Sequence, residues 1–473
     1  MTLFSDFSRL GAIFVCISAM SLTGCQDTAT GGGGNGPVLS GAASASRVET
    51  PLPGDPAPGE GPQTPPLAET PPPSVEVGTA PAQENILLTP PENLRNQVRV
   101  ALLVPLSGER SAVGKALLDA ATLAVFDIAD GNFVLVPIDT KGTAEGAAAA
   151  AEEAVSAGVK LVIGPVFSES VSAAAPSILD AGLNMLAFSN NRAVSEPGVY
   201  LSGLSPEAQI ERVVTYAAGR GLRRIGVLVP PGPFGLRVTD ALRGAAASGG
   251  MEVTRIQEYG NSPDEIAASV RTISDYNDRR AALLQQRKEL EGREDEGSRR
   301  ALARLEILET IGPVPFDALL VAASGPELIN AAAQLGNYDI DTKRTRILGM
   351  SDWIAEDTGR EPSLVGAWFA TPPVRAAEDF AVKFRNMYEA PPPAIAASAY
   401  DLVALAAILG SQEGGPRFDR ETLTSETGFA GVGGLFRLRD NGLSERSLEV
   451  REVRQRGSRV IDKARESFEN LTN

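Results

Sequence analysis

Apolar residues in this chain come in short unbroken runs, most of them closed by glycine, proline or polar residues and followed by an amphipathic stretch. Such runs predict strands buried on both faces, and the stretches between them predict helices. The clearest example is Leu161 to Asn191, read as strand, polar loop, Ala-rich helix, strand and polar loop. A helix of that length suits a right-handed crossover, so the two strands, Leu161 to Ile163 and Met185 to Phe188, should be parallel neighbours. Their loops, Gly164-Pro165 onward and Ser189-Asn190-Asn191, then lie at carboxyl ends of parallel strands, where open α/β sheets hold ligands. Ser168 stands where it could cap the crossover helix. Such turns need Gly, Ser and Asn even when they bind nothing, so the pattern fits both an ordinary turn and a ligand loop.

The same alternation runs through the rest of the chain. Val100 to Val104 and Phe133 to Ile138 predict strands; Gly114 to Ala129 and Thr143 to Ala157 predict helices. Pro105-Leu106-Ser107-Gly108 makes the first strand-to-helix loop. Gly108 and Gly114 have five residues between them, and Ala116 follows Lys115, so this is not a phosphate loop. Ser205-Pro206 opens a further helix. Then come a strand at Arg224 to Val229, a helix at Leu236 to Ser248, a strand at Glu252 to Tyr259 and a capping box, Ser262 to Glu265. A strand at Ala318 to Ala322, a helix at Pro326 to Leu335 and a strand at Arg346 to Leu348 follow. The expected fold is α/β: two doubly wound lobes about a central cleft, residues 98–220 and 221–390, with 391–473 returning to lobe one.

Two regions depart from the alternation. Residues 276–311 are charged and helical, with Tyr276, Leu283 and Leu290 at heptad spacing and a break at EGREDEGS. They predict a helical hairpin inserted in lobe two, either a solvated decoration or a docking arm for another protein. Near the end, a helix at Ala394 to Leu409 precedes a hairpin in which Leu435 to Leu438 and Ser447 to Val453 flank an Asn-Gly turn. A polar helix is expected from Asp462 to Leu471.

Composition narrows the function. Lys and Arg total 43 against 59 Asp and Glu, a formal charge of -16, which argues against nucleic acid or an anionic membrane surface as partner. Histidine is absent, which removes Ser-His-Asp triads and His-ligated metals; no paired acids mark an enzyme site, and no metal or cofactor is expected. Residues 1–24 read as a secretory signal with an apolar run from Leu10 to Leu22. Residues 25–97 contain no aromatic residue before the folded part and are rich in Gly and Pro, which predicts a disordered tether. About 60 such residues average roughly 45 Å end to end.

Leu22-Thr23-Gly24-Cys25 resembles the lipobox of bacterial lipoproteins, which implies lipidation at Cys25; Gln26 after it leans towards the outer membrane. VALLVPLSG (100–108), LVIGPVFSES (161–170), RRIGVLVPPGPFG (223–235) and FDALLVAASGPEL (316–328) resemble the type I periplasmic binding fold. That resemblance covers about Arg99 to Asp440 and implies two lobes joined by three crossover strands, with ligand between them. Relatives that bind branched-chain amino acids hold the carboxylate with lobe-one hydroxyls and amides, and Ser168, Ser189 and Asn191 match those loops, with Ser107 and Asn190 beside them. Lobe two there supplies a tyrosine and an acid. Here the positions read Phe234, Ser324 or Gly325, and Met350 or Ser351 with Asp352 adjacent.

Asp139 to Thr143, Phe188 to Asn191, the charged insertion before Phe316 and Gly349 to Trp353 are closer to the penicillin-binding-protein activators, envelope lipoproteins that stimulate peptidoglycan synthases. Those best known carry an extra N-terminal helical domain, where this chain has its Pro-rich stretch. The expected partners are therefore a peptidoglycan synthase or an ABC permease, with a small polar ligand in the cleft.

Overall fold

A computed structural model describes residues 97–354 and 357–468 of the chain. The signal stretch, Cys25 and almost all of the tether lie outside the described residues.

Lobe one is a five-stranded parallel sheet in the order β2-β1-β3-β4-β5. It is built from β1 (Val98–Val104), α1 (Ser111–Ile128), β2 (Phe133–Asp139), α2 (Ala144–Ser156), β3 (Leu161–Ile163), α3 (Ser168–Asp180), β4 (Met185–Ala187) and β5 (Val199–Leu201). β3 and β4 are parallel neighbours, as the crossover argument requires. Helices α2 and α3 bury alanines and valines on one face of the sheet. The other face is closed by α1 and by helices that arrive much later in the chain.

Lobe two holds α4 (Pro206–Gly219), β6 (Arg224–Val229), α5 (Pro233–Ser248), β7 (Glu252–Glu258), α6 (Pro263–Ile273), α7 (Tyr276–Glu291), α8 (Glu296–Glu306), β8 (Ala318–Val321), α9 (Gly325–Asn337), β9 (Arg346–Gly349) and β10 (Trp368–Thr371). Ser205 caps α4 by accepting the Ala208 amide at 3.1 Å. Ser262 and Glu265 close the expected capping box on α6. After β10 the chain forms α10 (Val374–Tyr388), α11 (Ala396–Gly410), α12 (Arg420–Leu423), β11 (Phe429–Gly431), β12 (Gly434–Leu438), β13 (Ser444–Arg446), β14 (Glu449–Val453) and β15 (Ser458–Asp462). The lobe-two sheet runs β15-β14-β10-β9-β8-β6-β7, with β14 and β15 antiparallel additions at one edge.

Several boundaries differ from the sequence expectation. α4, inside the stretch expected in lobe one, buries Ile210, Val213, Val214 and Ala217 among lobe-two residues such as Val227 and Val238. α10, expected in lobe two, buries Phe380 and Phe384 in the lobe-one core. An apolar helix face records only that something covers it, and either sheet serves. α11 is apolar on almost every side and is correspondingly sunk between α1 and the lobe-one sheet.

The end of the chain is also rearranged. β12 pairs with β13, and β14 leaves for the lobe-two sheet, so residues 391–473 return to lobe one only in part. The first part of the helix expected from Asp462 is not helical: Asp462 ends strand β15, residues 463–468 carry no helix, and 469–473 lie outside the described residues. Asp462 pairs with β14, and the residues after it are held outside a helix by Arg212, which donates to the Lys463 carbonyl at 3.4 Å, and by the Ser447 hydroxyl, which donates to the Arg465 carbonyl at 2.9 Å.

The chain thus passes between lobes three times, after β5, after β10 and after β13. The insertion in lobe two is a pair of helices, α7 and α8. Arg279 holds it to the lobe through Asp339 at 2.8 Å, and Tyr276 packs edge-on against Tyr338 at 5.4 Å. Of the three heptad positions only Leu283 is fully buried.

Candidate functional site

The loops after the strands of each lobe carry the candidate residues. At the end of β2, Asp139 accepts the Leu106 amide at 2.8 Å, the Lys141 amide at 2.8 Å, the Ser107 amide at 3.2 Å and the Ser107 hydroxyl at 2.6 Å. Burial alone would raise its pKa; the Ser107 hydroxyl and these amides outweigh it and hold the carboxyl below its usual range. The Ser107 proton is therefore committed to Asp139, and Ser107 shapes the loop rather than offering a free donor.

Ser168 does not cap α3. Phe167 occupies that position and no side chain closes the helix start. The change leaves the Ser168 hydroxyl without a partner among the described residues. In the neighbouring loop, Ser189 Oγ accepts the Asn191 amide at 3.2 Å, and Asn191 Oδ1 accepts the Ala193 amide at 3.2 Å. These bonds fix the loop through acceptor atoms only. The Ser189 hydroxyl proton and the Asn191 amide protons remain available to an acceptor. Phe188 donates its amide to the Pro165 carbonyl at 2.9 Å, which ties the two loops together. The structure places Ser168, Ser189 and Asn191 on adjoining loops with donors to spare.

Lobe two presents less. Phe234, on the first turn of α5, is 38% exposed. Ser324 precedes α9 with no side-chain cap bond. Asp352 lies just beyond β9; its surface meets solvent, yet the protein mass around it pushes its carboxyl above the usual range. None of the described residues forms an ion pair with it. Trp353 beside it is core, donating its indole N–H to the Ala323 carbonyl at 3.0 Å.

The family description "Periplasmic binding protein" matches residues 97–458, across both lobes and all three crossovers. The chain belongs to this family.

Periplasmic binding proteins of known structure share the architecture. A branched-chain amino acid ABC transporter ligand-binding protein from Burkholderia xenovorans is 17% identical with a TM-score of 0.56, covering 77% of this chain and 94% of that one. A substrate-binding protein from Desulfitobacterium hafniense in complex with Leu is 18% identical with a TM-score of 0.52, covering 77% and 100%. Two curated relatives align over less. The penicillin-binding protein activator LpoA of Photobacterium profundum is 30% identical over 190 residues, 39% of this chain and 30% of that protein. An uncharacterized protein, RP748, of Rickettsia prowazekii is 22% identical over 184 residues, 39% of this chain and 49% of that protein. The matched stretches thus span from under a third to about half the length of these relatives.

In this periplasmic binding protein the lobes touch through a residue that sequence reasoning missed. Arg237 on α5 donates to the Asn190 carbonyl at 2.9 Å and to Glu207 at 3.1 Å. Burial would raise the Glu207 pKa, but Arg237 overrides it and holds that carboxylate charged. Phe234 stands one turn before Arg237 on the same side of α5. Asn190 thus serves through its backbone as the seat of a lobe-two arginine. Nothing in an Ala-rich helix marks Arg237 rather than Arg243 as that contact.

Asp139 yields a pH-dependent expectation. Asp139→Asn should destabilise the protein at pH 7 by about 1–3 kcal/mol, since amide protons would face donors. Because the folded pKa is lowered, the carboxylate's contribution is present above its unfolded pKa of about 3.9 and lost as pH falls through the folded value. The gap between the two proteins in urea titrations should narrow as pH is lowered from about 4 through the folded pKa. An undiminished gap there would contradict the assignment.

Proposed function

We propose that this protein is a non-enzymatic envelope lipoprotein, anchored through Cys25 and facing the periplasm, that regulates peptidoglycan synthesis by docking on a penicillin-binding protein. The observation that carries the reading is the 30% identity with the activator LpoA. The lobe-two wall supports it: Phe234 lacks a hydroxyl that could meet a ligand ammonium, and positions 350 and 351 are Met and Ser rather than an acid, with Asp352 exposed beside them. The docking element is the α7–α8 arm, where Ile307 is 83% exposed and Leu284 and Leu308 stand out in water. Large apolar side chains that remain exposed on an arm otherwise covered in charge mark a contact surface.

Added to a purified peptidoglycan synthase, the protein should stimulate polymerisation. Leu284→Glu with Ile307→Glu should reduce that stimulation several-fold while leaving the melting temperature within a few degrees. Stimulation equal to wild type would remove the arm from the account, and no stimulation by wild type would remove the regulator reading itself. A second reading, a receptor delivering a solute to an ABC permease, is favoured by the spare donors of Ser168, Ser189 and Asn191. Stoichiometric binding of an amino acid through those residues would move the assignment to it.

A further inference from the structure

A concavity of about 570 Å³ lies on the flank of the hinge, beside the candidate site rather than in it. Its walls come from the β4–β5 edge of lobe one, the outer face of α4, the β13–β14 crossover and the strap of residues 462–468. Asn190 is the one residue it shares with the candidate cleft positions.

The strap leaves the lobe-two strand β15 and is held at each step. Arg212 donates to Asp462 at 2.7 Å and to the Lys463 carbonyl at 3.4 Å, and the Ser447 hydroxyl donates to the Arg465 carbonyl at 2.9 Å. Its end, Phe468, lies under the Arg437 guanidinium at 4.4 Å, on the three-stranded sheet that packs with lobe one. The pocket wall therefore spans both lobes.

Charge in this pocket is unbalanced. The carboxylates of Glu207, Glu445 and Asp462 are already paired, with Arg237, with Arg437 and Arg439, and with Arg212. Arg192, Lys463 and Arg465 line the pocket and form no ion pair among the described residues; Glu211 is the single lining carboxylate without one. Leu201, Leu443 and Leu448 add apolar wall. In a chain of net charge -16, a concavity with three unpaired cations against one unpaired acid is a site for negative charge.

We propose that this hinge pocket binds a small organic anion, a carboxylate or phosphate carried on a short apolar body, and that occupancy couples to lobe closure. The coupling follows from the walls. Arg192 belongs to lobe one and Lys463 to the strap from lobe two, so an anion held by both is bound well at one interlobe angle and poorly at others.

The test uses the full chain at low ionic strength, titrated by calorimetry with phenyl phosphate and, separately, with hydrocinnamate. Saturable binding of either probe at one site is expected, and the tighter probe identifies the anionic group. Arg192→Ala with Lys463→Ala and Arg465→Ala, all exposed positions, should weaken it at least tenfold, whereas Ser168→Ala with Asn191→Ala should not. Saturation should also slow hydrogen exchange at residues 202–205 and 446–448. Absence of binding to both probes, or equal binding by the triple variant, would overturn the site; unchanged exchange at both crossovers would overturn the coupling.

Discussion

Arg446→Leu is expected to lower unfolding stability by about 3–5 kcal/mol, the largest single effect we anticipate. Arg446 sits on the third crossover with its side chain 7% exposed, and Asp401 of α11 faces it at 3.8 Å, 1% exposed. Arg446 donates to the Gly433 carbonyl at 2.9 Å and to the Ser202 carbonyl, on the first crossover, at 3.4 Å. Asp401 accepts the Val432 amide at 2.7 Å and the Gly433 amide at 2.9 Å. The turn wraps so closely that a Cβ at Gly431 would overlap the carboxylate. Burial pushes the Asp401 pKa up against the pull of Arg446 and these amides, and it pushes the Arg446 pKa down.

Removing the guanidinium strands a buried carboxylate and frees two carbonyls, that of Ser202 on the first crossover and that of Gly433 in the β11–β12 turn. The double replacement Asp401→Leu with Arg446→Leu should cost less than the sum of the single changes, because no lone charge remains. Urea midpoints for the three variants measure this. A cost below about 1 kcal/mol for Arg446→Leu would mean that water reaches the pair and that it does not hold the hinge.

Gly235→Val is the second large effect. Gly235 lies on the first turn of α5, and a Cβ there would overlap the Pro230 carbonyl oxygen. A side chain in the way can rotate aside; backbone at the end of a central strand cannot. The cost should reach about 1–3 kcal/mol or more, with the α5 start displaced. Phe234 and Arg237 share that turn, so the Arg237 contact with Asn190 should go with it. The same helix supplies the control. Gly244 has open space where its Cβ would stand, and Gly244→Ala should stabilise by roughly 0.4–1 kcal/mol through the unfolded chain. Thermal melts compare them directly; two glycines with the same response would show that close approach is not what decides. Lobe one repeats the device, with Gly114 of α1 against the Pro105 carbonyl.

The candidate site was partly legible. Loop positions followed from strand ends, and the structure does bring the Ser168 and Ser189–Asn191 loops side by side, tied by Phe188 and Pro165. The state of each polar group was not legible. Ser107 reads like Ser168 in sequence, but Asp139, 32 residues away, takes the proton of one, and no described residue takes that of the other. Arg237, Arg446 and the hinge pocket draw on residues far apart along the chain, 250 positions in the case of Arg212 with Asp462.

The sequence by itself determined the alternation of buried strands and covering helices, the caps at Ser205 and Ser262, and hence the α/β class, since these depend on periodicity and on contacts a few residues apart. Only the tertiary structure decided which lobe each helix covers, where the three crossovers fall, and how the last strands are paired. A helix's apolar stripe carries no address, and α4 and α10 found theirs through the shape of the sheets they meet. Buried charges such as Asp401 and Arg446 likewise take their meaning from partners that only the folded chain brings near.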